Sequence, residues 1–370
     1  MRQTVLVTGS RGFIGLNLVQ QLRFRGDFEV IEIQRSTSLA ELQRGLECCD
    51  VVVHLAGTNR PQSEDAFYRD NFQFTREILE RLELSTPKPI IFSSSVQADL
   101  NNPYGRSKRA AELLVNEYST RNQVPVRILR LPNVFGKWSK PHYNSVVATF
   151  VHDIIRGVEP PVLEPSRTLE LLYIDDLIEA LISDIDTRLS SNALHEMPTY
   201  RASVQEILVL VSRMHSMREN GEVLDVGRGL TRALYATYVS ALDTSSFTYS
   251  LSPKIDSRGS FVEMLKTQSA GQISSFVAKP GVTRGSHFHH SKVEKFFVVS
   301  GTARFRFRNI VSDERFEVIV NAAAPKIVES IPGWIHDVTN LGNQDLVVIV
   351  WANEVFREDR PDTTHGEVND

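Results

Sequence analysis

The sequence predicts two domains of different class: an α/β domain on a parallel sheet over residues 1–243, then an all-β domain over residues 247–370. Three observations predict this. Strand-like and helix-like patterns alternate through the first half, as in a sheet covered by helices on both faces. Three glycines, Gly9, Gly12 and Gly15, lie between the first strand and the first helix. After the short polar linker Asp243–Ser246, strand-like segments are broken by Gly and Pro turns. At 370 residues the chain also exceeds one ordinary hydrophobic core.

The elements follow in order. Thr4–Thr8 is a β-branched strand, and Phe13–Phe24 carries apolar residues at helical spacing. Glu29–Ile33, Asp50–Leu55 and Ile90–Ser94 read as the next three strands, Tyr104–Ser119 as a helix and Val126–Leu131 as a strand. Leu171–Ile174 precedes a helix from Asp175 to about Ile185. Ser203 and Glu206 form a capping-box pair ahead of Ile207, Leu208, Val211 and Met214, and Leu230–Leu242 is a final helix. In the second domain, Arg304–Arg308 alternates cations and aromatics, the period of a strand with one buried face. The polar tail Asp359–Asp370 reads as partly disordered.

Bulk properties narrow the function. Hydrophobic content of 41% and charged content of 23% belong to a soluble globular protein. A net charge of −4 argues against a nucleic-acid or membrane partner. No apolar run approaches the roughly 20 residues that span a bilayer. The adjacent cysteines Cys48 and Cys49 make no disulfide framework, and no signal-peptide pattern is present, so a reducing cytoplasm is expected.

In Thr8–Gly15 (TGSRGFIG), the first glycine allows a tight turn, the second lets a pyrophosphate approach the backbone, and the third lets helix and strand pack closely. The phosphates would meet the free N–H groups at the helix start, with Arg11, Phe13 and Ile14 in contact range. The second strand ends in Gln34 and Arg35, where an acidic residue would hold an unphosphorylated ribose. Arg35 and Arg11 can instead face a 2′-phosphate, which favours NADPH over NADH; the alternative is two solvated surface cations.

Tyr104 and Lys108 lie four apart on one helix face. The ammonium would lower the phenol pKa from its ordinary value near 10, so that Tyr104 could protonate a carbonyl oxygen as hydride reaches carbon. Ser95, or its neighbour Ser94 on the opposite strand face, could hydrogen-bond the same oxygen.

The glycine fingerprint, His54–Gly57 (HLAG), the Ser93–Ser95 run, the Tyr104/Lys108 pair and Leu131–Gly136 (LPNVFG) occur in an order that resembles the extended short-chain dehydrogenase/reductase superfamily over residues 1–243. The resemblance implies a Rossmann-like fold. It assigns Leu55, Ala56, Gly57 and Leu131 to the cofactor, and Asn71 to the active-site asparagine after the third strand. It places Asn133 and Tyr173–Asp176 beside a nucleotide-sugar substrate. Arg167 is a candidate diphosphate contact; for it and for Lys137 a solvated cation is the competing reading.

The second domain carries Gly281-x5-His287-x-His289-x4-Glu294-x6-Gly301. Residues two apart on a strand share a face, so His287 and His289 can hold one ion, with Glu294 reaching in from the adjoining strand. His290 breaks the alternation and is not counted. The spacing resembles the first motif of the cupins, an all-β jelly-roll barrel family. Pro332–Asn340 resembles the second motif, with proline and glycine adjacent rather than separated, and implies His336 as fourth ligand. Such a set suits Zn²⁺ best, while Fe²⁺, Mn²⁺ and Ni²⁺ are also compatible. Asp256–Glu263 (DSRGSFVE) resembles a segment of cupins that epimerise nucleotide-linked 4-keto sugars and implies a substrate contact for Arg258; a plain turn at Arg258–Gly259 is the alternative.

Together the halves resemble the CapF family of bifunctional capsular polysaccharide synthesis enzymes, across essentially the whole chain. That resemblance implies inversion of C-3 of UDP-2-acetamido-2,6-dideoxy-β-L-arabino-4-hexulose by the cupin. NADPH reduction at C-4 then gives UDP-N-acetyl-L-talosamine, on the route to UDP-N-acetyl-L-fucosamine. Chemistry fixes the order, because the C-3 proton is acidic only while the C-4 carbonyl can take up charge as an enolate. A full set of four protein ligands suits a structural ion, whereas a Lewis-acid role needs an open position. Two rival readings are a 4-ketoreductase with a non-catalytic cupin for dimerisation or sugar binding, and an iron oxygenase. A homo-oligomer is expected on resemblance.

Overall fold

The computed structural model describes residues 2–61, 63–189 and 197–368. The chain forms two compact units, one comprising Met1–Ser212 with Arg232–Leu242, the other Arg213–Thr231 with Asp243–Asp370.

In the first unit, β1 (Gln3–Thr8), β2 (Phe28–Ile33), β3 (Val51–His54), β4 (Ile90–Ser95) and β5 (Val126–Leu131) form a parallel sheet in the order β2-β1-β3-β4-β5. Val5–Val7 and Val51–Val53 are buried without remainder, as expected of strands covered on both faces. The covering helices are α1 (Phe13–Arg25), α2 (Leu39–Cys48), α3 (Phe74–Leu84) and α4 (Pro103–Asn122). On one face, Leu42 and Leu46 of α2, Ile78 and Leu82 of α3 and Val115 of α4 close over Leu6, Val52 and Phe92. A π-helical turn, Tyr68–Gln73, leads directly into α3.

The strand order reverses between β1 and β3, so their carboxyl ends flank a crevice, the usual ligand position in open α/β sheets. Gly9–Gly15 follow β1, Leu55–Gly57 follow β3, and Ser95 ends β4. A smaller sheet joins β6 (Asn133–Phe135) in parallel to β7 (Thr168–Tyr173) and β7 antiparallel to β8 (Thr199–Ser203). Helices α5 (Val146–Ile155), α6 (Ile174–Asp186), α7 (Val204–Asn220) and α8 (Gly229–Ser240) complete the helical set. The Ser203–Glu206 capping box opens α7, with each side chain bonded to the other's backbone N–H.

From Lys254 onward the second unit is built of strands joined by turns and loops. Its first sheet runs β10 (Lys254–Asp256), β11 (Gly259–Thr267), β12 (Gly271–Ala278), β19, β14 and β17; its second runs β16, β15, β18, β13 and β20. The latter strands are β13 (Thr283–Phe288), β14 (Glu294–Ser300), β15 (Thr302–Asn309), β16 (Arg315–Asn321), β17 (Ile327–Ser330), β18 (Trp334–Asn340), β19 (Leu346–Ala352) and β20 (Thr364–His365). The core combines Phe276, Phe296 and Val348 of the first sheet with Ala303, Phe305 and Val338 of the second. The Arg304–Arg308 alternation thus reads as expected, with Phe305 and Phe307 buried.

Two sequence expectations need correction. The two-stranded contact of β9 (Glu222–Val223) with β11 places Arg213–Thr231 with the second unit rather than the first. The described part of the tail packs onto the second unit: β20 pairs with β13, and Val368 is buried. Polar composition concealed this because the tail is held by backbone pairing.

Candidate active site and metal centre

Gly9 has φ of 67°, and a Cβ there would lie 2.8 Å from Ala56 N. A Cβ on Gly15 would lie 2.2 Å from Gly9 O, so the loop can pack against α1 only with glycine in place. Helix α1 begins at Gly12 with no side-chain cap and no acidic residue in its first turn. By contrast, α2 is closed by the Ser38–Glu41 capping box. An uncapped start leaves its amides and the positive dipole end for an anion. Ser10, which pattern reading passed over, is buried with its hydroxyl oxygen unpartnered. These features fit a dinucleotide pyrophosphate.

Arg35 is almost fully exposed and pairs with Asp70 at 3.1 Å, so it meets a nearby acid rather than standing free. Arg11 is exposed. Phe13 and Ile14 form the first turn of α1, and Leu131 is buried at the end of β5.

Behind the crevice lies a closed hydrogen-bond network. His54 Nδ1 meets Thr8 Oγ1 at 2.7 Å, and its Nε2 meets Thr75 Oγ1 at 2.9 Å. Thr8 Oγ1 accepts from Ala56 N at 3.1 Å, and Thr75 donates to the Asn71 carbonyl at 2.6 Å. Burial, reinforced by the Lys108 charge, pushes the His54 pKa down to about 3, so its ring is neutral. Asn71 sits in the π-turn, a feature frequent at functional sites. Its amide accepts from Thr58 N at 2.8 Å and donates to Thr58 O at 3.0 Å and Ser107 Oγ at 2.9 Å. Asn71 therefore ties the chain after β3 to α4, beside Lys108. A Cβ on Gly57 would lie 2.8 Å from Asn71 Oδ1 and 3.6 Å from Lys108 Nζ, so all three converge.

Lys108 is buried and donates to Ser93 O at 2.6 Å. Burial lowers its pKa to about 8, with Glu112 opposing. The Tyr104 phenol is raised by burial, against a lowering by the Ser95 hydroxyl, so its net direction is opposite to the lowering expected from Lys108. Ser94 donates to Glu112 at 2.5 Å, away from Tyr104, so Ser95 is the serine beside the phenol. Asn133 is exposed and donates to Glu170 O at 3.0 Å. Arg167 is exposed, its guanidinium 3.6 Å from the Glu164 carboxylate. Lys137 pairs with Asp175, and Asp176 pairs with Arg232 at 3.3 Å, whose guanidinium lies 5.5 Å from the Tyr173 ring centroid. Arg232 carried no motif and was missed.

In the second unit, one ligand atom from each of His287, His289, Glu294 and His336 falls within 4.8 Å of the others. His287 and His336 are opposite one another on β13 and β18. Glu294, however, reaches from the facing sheet rather than the adjoining strand, because β13 and β14 belong to different sheets. His289 Nδ1 meets Asp362 O, and His336 Nδ1 meets Trp334 O at 3.4 Å. A carbonyl only accepts, so Nδ1 carries the proton and Nε2 presents a lone pair. Those Nε2 atoms lie 3.3 and 3.4 Å from Glu294 Oε2, are buried, and make no hydrogen bond. Lone pairs facing a carboxylate require a cation between them, which fits a metal ion.

Burial, the largest cause, lowers His287 to about 4. His290 is exposed, its ring against Phe288. Asp362 accepts from the N–H groups of His290, Ser291 and Lys292 at 2.8–2.9 Å, which fixes the ligand loop. It lies 70 or more residues away in sequence, so no local signal reveals it. Arg258 turns back onto Asp256 at 2.6 Å, the geometry of a tight turn; a Cβ on Gly259 would lie 2.0 Å from Val277 O.

Residues 5–189 match the family described as NAD dependent epimerase/dehydratase, and residues 254–364 match the polysaccharide biosynthesis C-terminal domain. A UDP-2-acetamido-2,6-beta-L-arabino-hexul-4-ose reductase of Pseudomonas aeruginosa is 45% identical over 361 residues, 97% of each chain. The capsular polysaccharide assembling protein CapF of Staphylococcus aureus superposes with a TM-score of 0.91 at 37% identity, covering 98% of this chain and 100% of that one. The chain belongs to the CapF family. A UDP-glucuronic acid 4-epimerase of Bacillus cereus shares only the fold of the CapF-family first unit, at 18% identity and a TM-score of 0.55 over 64% of this chain. CapF-family membership makes the protein a nucleotide-sugar oxidoreductase with a Rossmann-like domain, an all-β cupin domain and a nicotinamide cofactor. No helix among the described residues is long and apolar enough to cross a membrane.

Proposed function

We propose that the protein acts on a UDP-linked 2-acetamido-2,6-dideoxy-4-hexulose in two steps, inversion at C-3 in the cupin unit and NADPH reduction at C-4 in the first unit. The P. aeruginosa relative carries the matching substrate in its name. The observation that favours two steps is the cupin cluster: Glu294 comes from the facing sheet to meet three histidines, and His289 and His336, held through Nδ1 by backbone carbonyls, turn Nε2 lone pairs toward it.

The uncapped start of α1, with Gly9, Gly12, Gly15 and Ser10, would hold the pyrophosphate; Arg11 and Arg35 would face a 2′-phosphate. NADPH, when bound, supplies the hydride. Tyr104 protonates the C-4 oxygen, Ser95 donates a hydrogen bond to that oxygen, and Lys108 lies one helical turn on to stabilise the phenolate left behind. His54 and Asn71 hold this group in place, and Asn71 is a proposed substrate contact as well. Asn133, Arg167 and Arg258 are proposed sugar or diphosphate contacts. In the cupin, a divalent ion, zinc by the donor set, would hold the two sheets together and could polarise the C-4 carbonyl.

The test is product stereochemistry. Full-length protein with NADPH and the 4-keto sugar should give a product inverted at C-3 and reduced at C-4, read by proton coupling constants. A product reduced at C-4 with C-3 unchanged would leave only the 4-ketoreductase with a non-catalytic cupin.

A further inference from the structure

The first unit contains a second group of metal-competent side chains, well apart in sequence from the cupin motif. His142, in the loop between β6 and α5, and His152 and Asp153, on α5, bring their donor atoms together. His142 Nε2 and His152 Nδ1 each lie 2.9 Å from the same oxygen, Asp153 Oδ1, and 3.3 Å from one another. Asp153 is buried, while the two imidazoles are partly exposed and give access from solvent. We propose that these three residues bind a divalent transition ion of the zinc class and so pin the loop between Lys137 and Ser145 to α5.

Coordination geometry supports this. Zinc takes nitrogen and oxygen donors at about 2.0–2.2 Å, so donors on a tetrahedral ion stand roughly 3.3 Å apart. The two ring nitrogens already have that spacing, and each carboxylate–imidazole edge need open by only ~0.4 Å. Three protein donors leave a fourth vertex open to water.

The loop is built to deliver His142. Ser145 caps α5 through Ala148 N, and Thr149 donates to Ser145 O at 2.9 Å. The same Thr149 Oγ1 accepts from His142 N at 3.0 Å, which aims the imidazole at α5. His142 holds the left-handed conformation, φ 54°, and Trp138 in the same loop does so at φ 68°. Two such residues in nine cost energy that an ion at the loop's far end would offset. Lys137 at its near end is bonded to Asp175, so both ends would then be tied.

The experiment strips full-length protein with a chelator, equilibrates it with ZnCl₂, removes free metal and measures bound zinc per chain. His142→Asn keeps a residue that tolerates the left-handed backbone while deleting the imidazole; His152→Gln tests the same site from the helix. Each should lose one zinc per chain relative to wild type and lose the part of the zinc-induced rise in Tm that comes from this site. His336→Ala separately removes the cupin ion, so failure of the cupin site cannot imitate failure of this one. Unchanged zinc content in both His142→Asn and His152→Gln, with melting curves showing folded protein, would overturn the proposal.

Discussion

The two chemical centres of this chain are finished to different degrees. Around Tyr104 and Lys108, buried polar atoms are paired: His54 with Thr8 and Thr75, Asn71 with Thr58 and Ser107, Lys108 with Ser93. In the cupin cluster, His289 Nε2 and His336 Nε2 are buried with no hydrogen-bond partner, facing a carboxylate. An unpaired buried acceptor costs roughly 1–3 kcal/mol, which a cation at the second centre would relieve. The first is a rigid platform whose polar groups are already paired. The second has the donor set of a coordination shell.

The largest effect should come from removing the proton donor on the rigid platform. Tyr104→Phe should lower the reduction rate ~10²–10⁴-fold, measured as loss of NADPH absorbance, while zinc content stays at the wild-type value. A parallel loss of zinc would show the centres are not separable in this way. On the other side, Asp362→Ala frees the N–H groups of His290, Ser291 and Lys292 and should weaken zinc affinity ~10–100-fold, as losses of ligand-orienting groups do. Chelator competition reads this, and unchanged affinity would remove Asp362 from the account.

Asn71→Ala leaves Thr58 and Ser107 without their buried partner and should cost about 1–3 kcal/mol of stability in denaturant unfolding. The loss should be the same with and without zinc, since it concerns the platform alone. The platform also carries a pH signature. His54 has its pKa depressed from 6.5 to about 3, so the folded state resists a proton that the unfolded chain accepts. Its contribution is present above about pH 6.5 and is lost as pH falls toward about 3. His54→Gln should flatten the Tm-versus-pH curve in that window. Smallest of all, Arg35→Ala breaks an exposed ion pair worth ~0–1 kcal/mol, leaving Tm unchanged. It should raise KM for NADPH while leaving KM for NADH as it was.

What was legible in the sequence divides along the same line. Gly9, Gly12 and Gly15, the Tyr104/Lys108 pair and the His287/His289 pair are written as short-range spacings, because a turn, a helix face and a strand face each have a fixed period, whereas His336 was reached only through the resemblance of its motif. The strand order was less so: nothing local places β13 and β14 in opposite sheets, and that arrangement decides from which side Glu294 approaches. The supporting residues were hidden for the same reason. Asp362 acts from the far end of the second unit, and the His142–Asp153 contact forms only when a loop turns back onto α5. The direction of the Tyr104 shift was misjudged because helical spacing shows Lys108 near but not how deeply the phenol is buried, and burial sets the direction.

The most direct test of the two-step reading is hydrogen exchange at C-3. The 4-keto sugar should be incubated with zinc-loaded full-length protein in D₂O without NADPH, alongside His336→Ala and Tyr104→Phe. The account predicts deuterium at C-3 with wild type and with Tyr104→Phe, and a large loss of exchange with His336→Ala. No deuterium at C-3 with wild-type protein that still reduces the ketone when NADPH is added would contradict it.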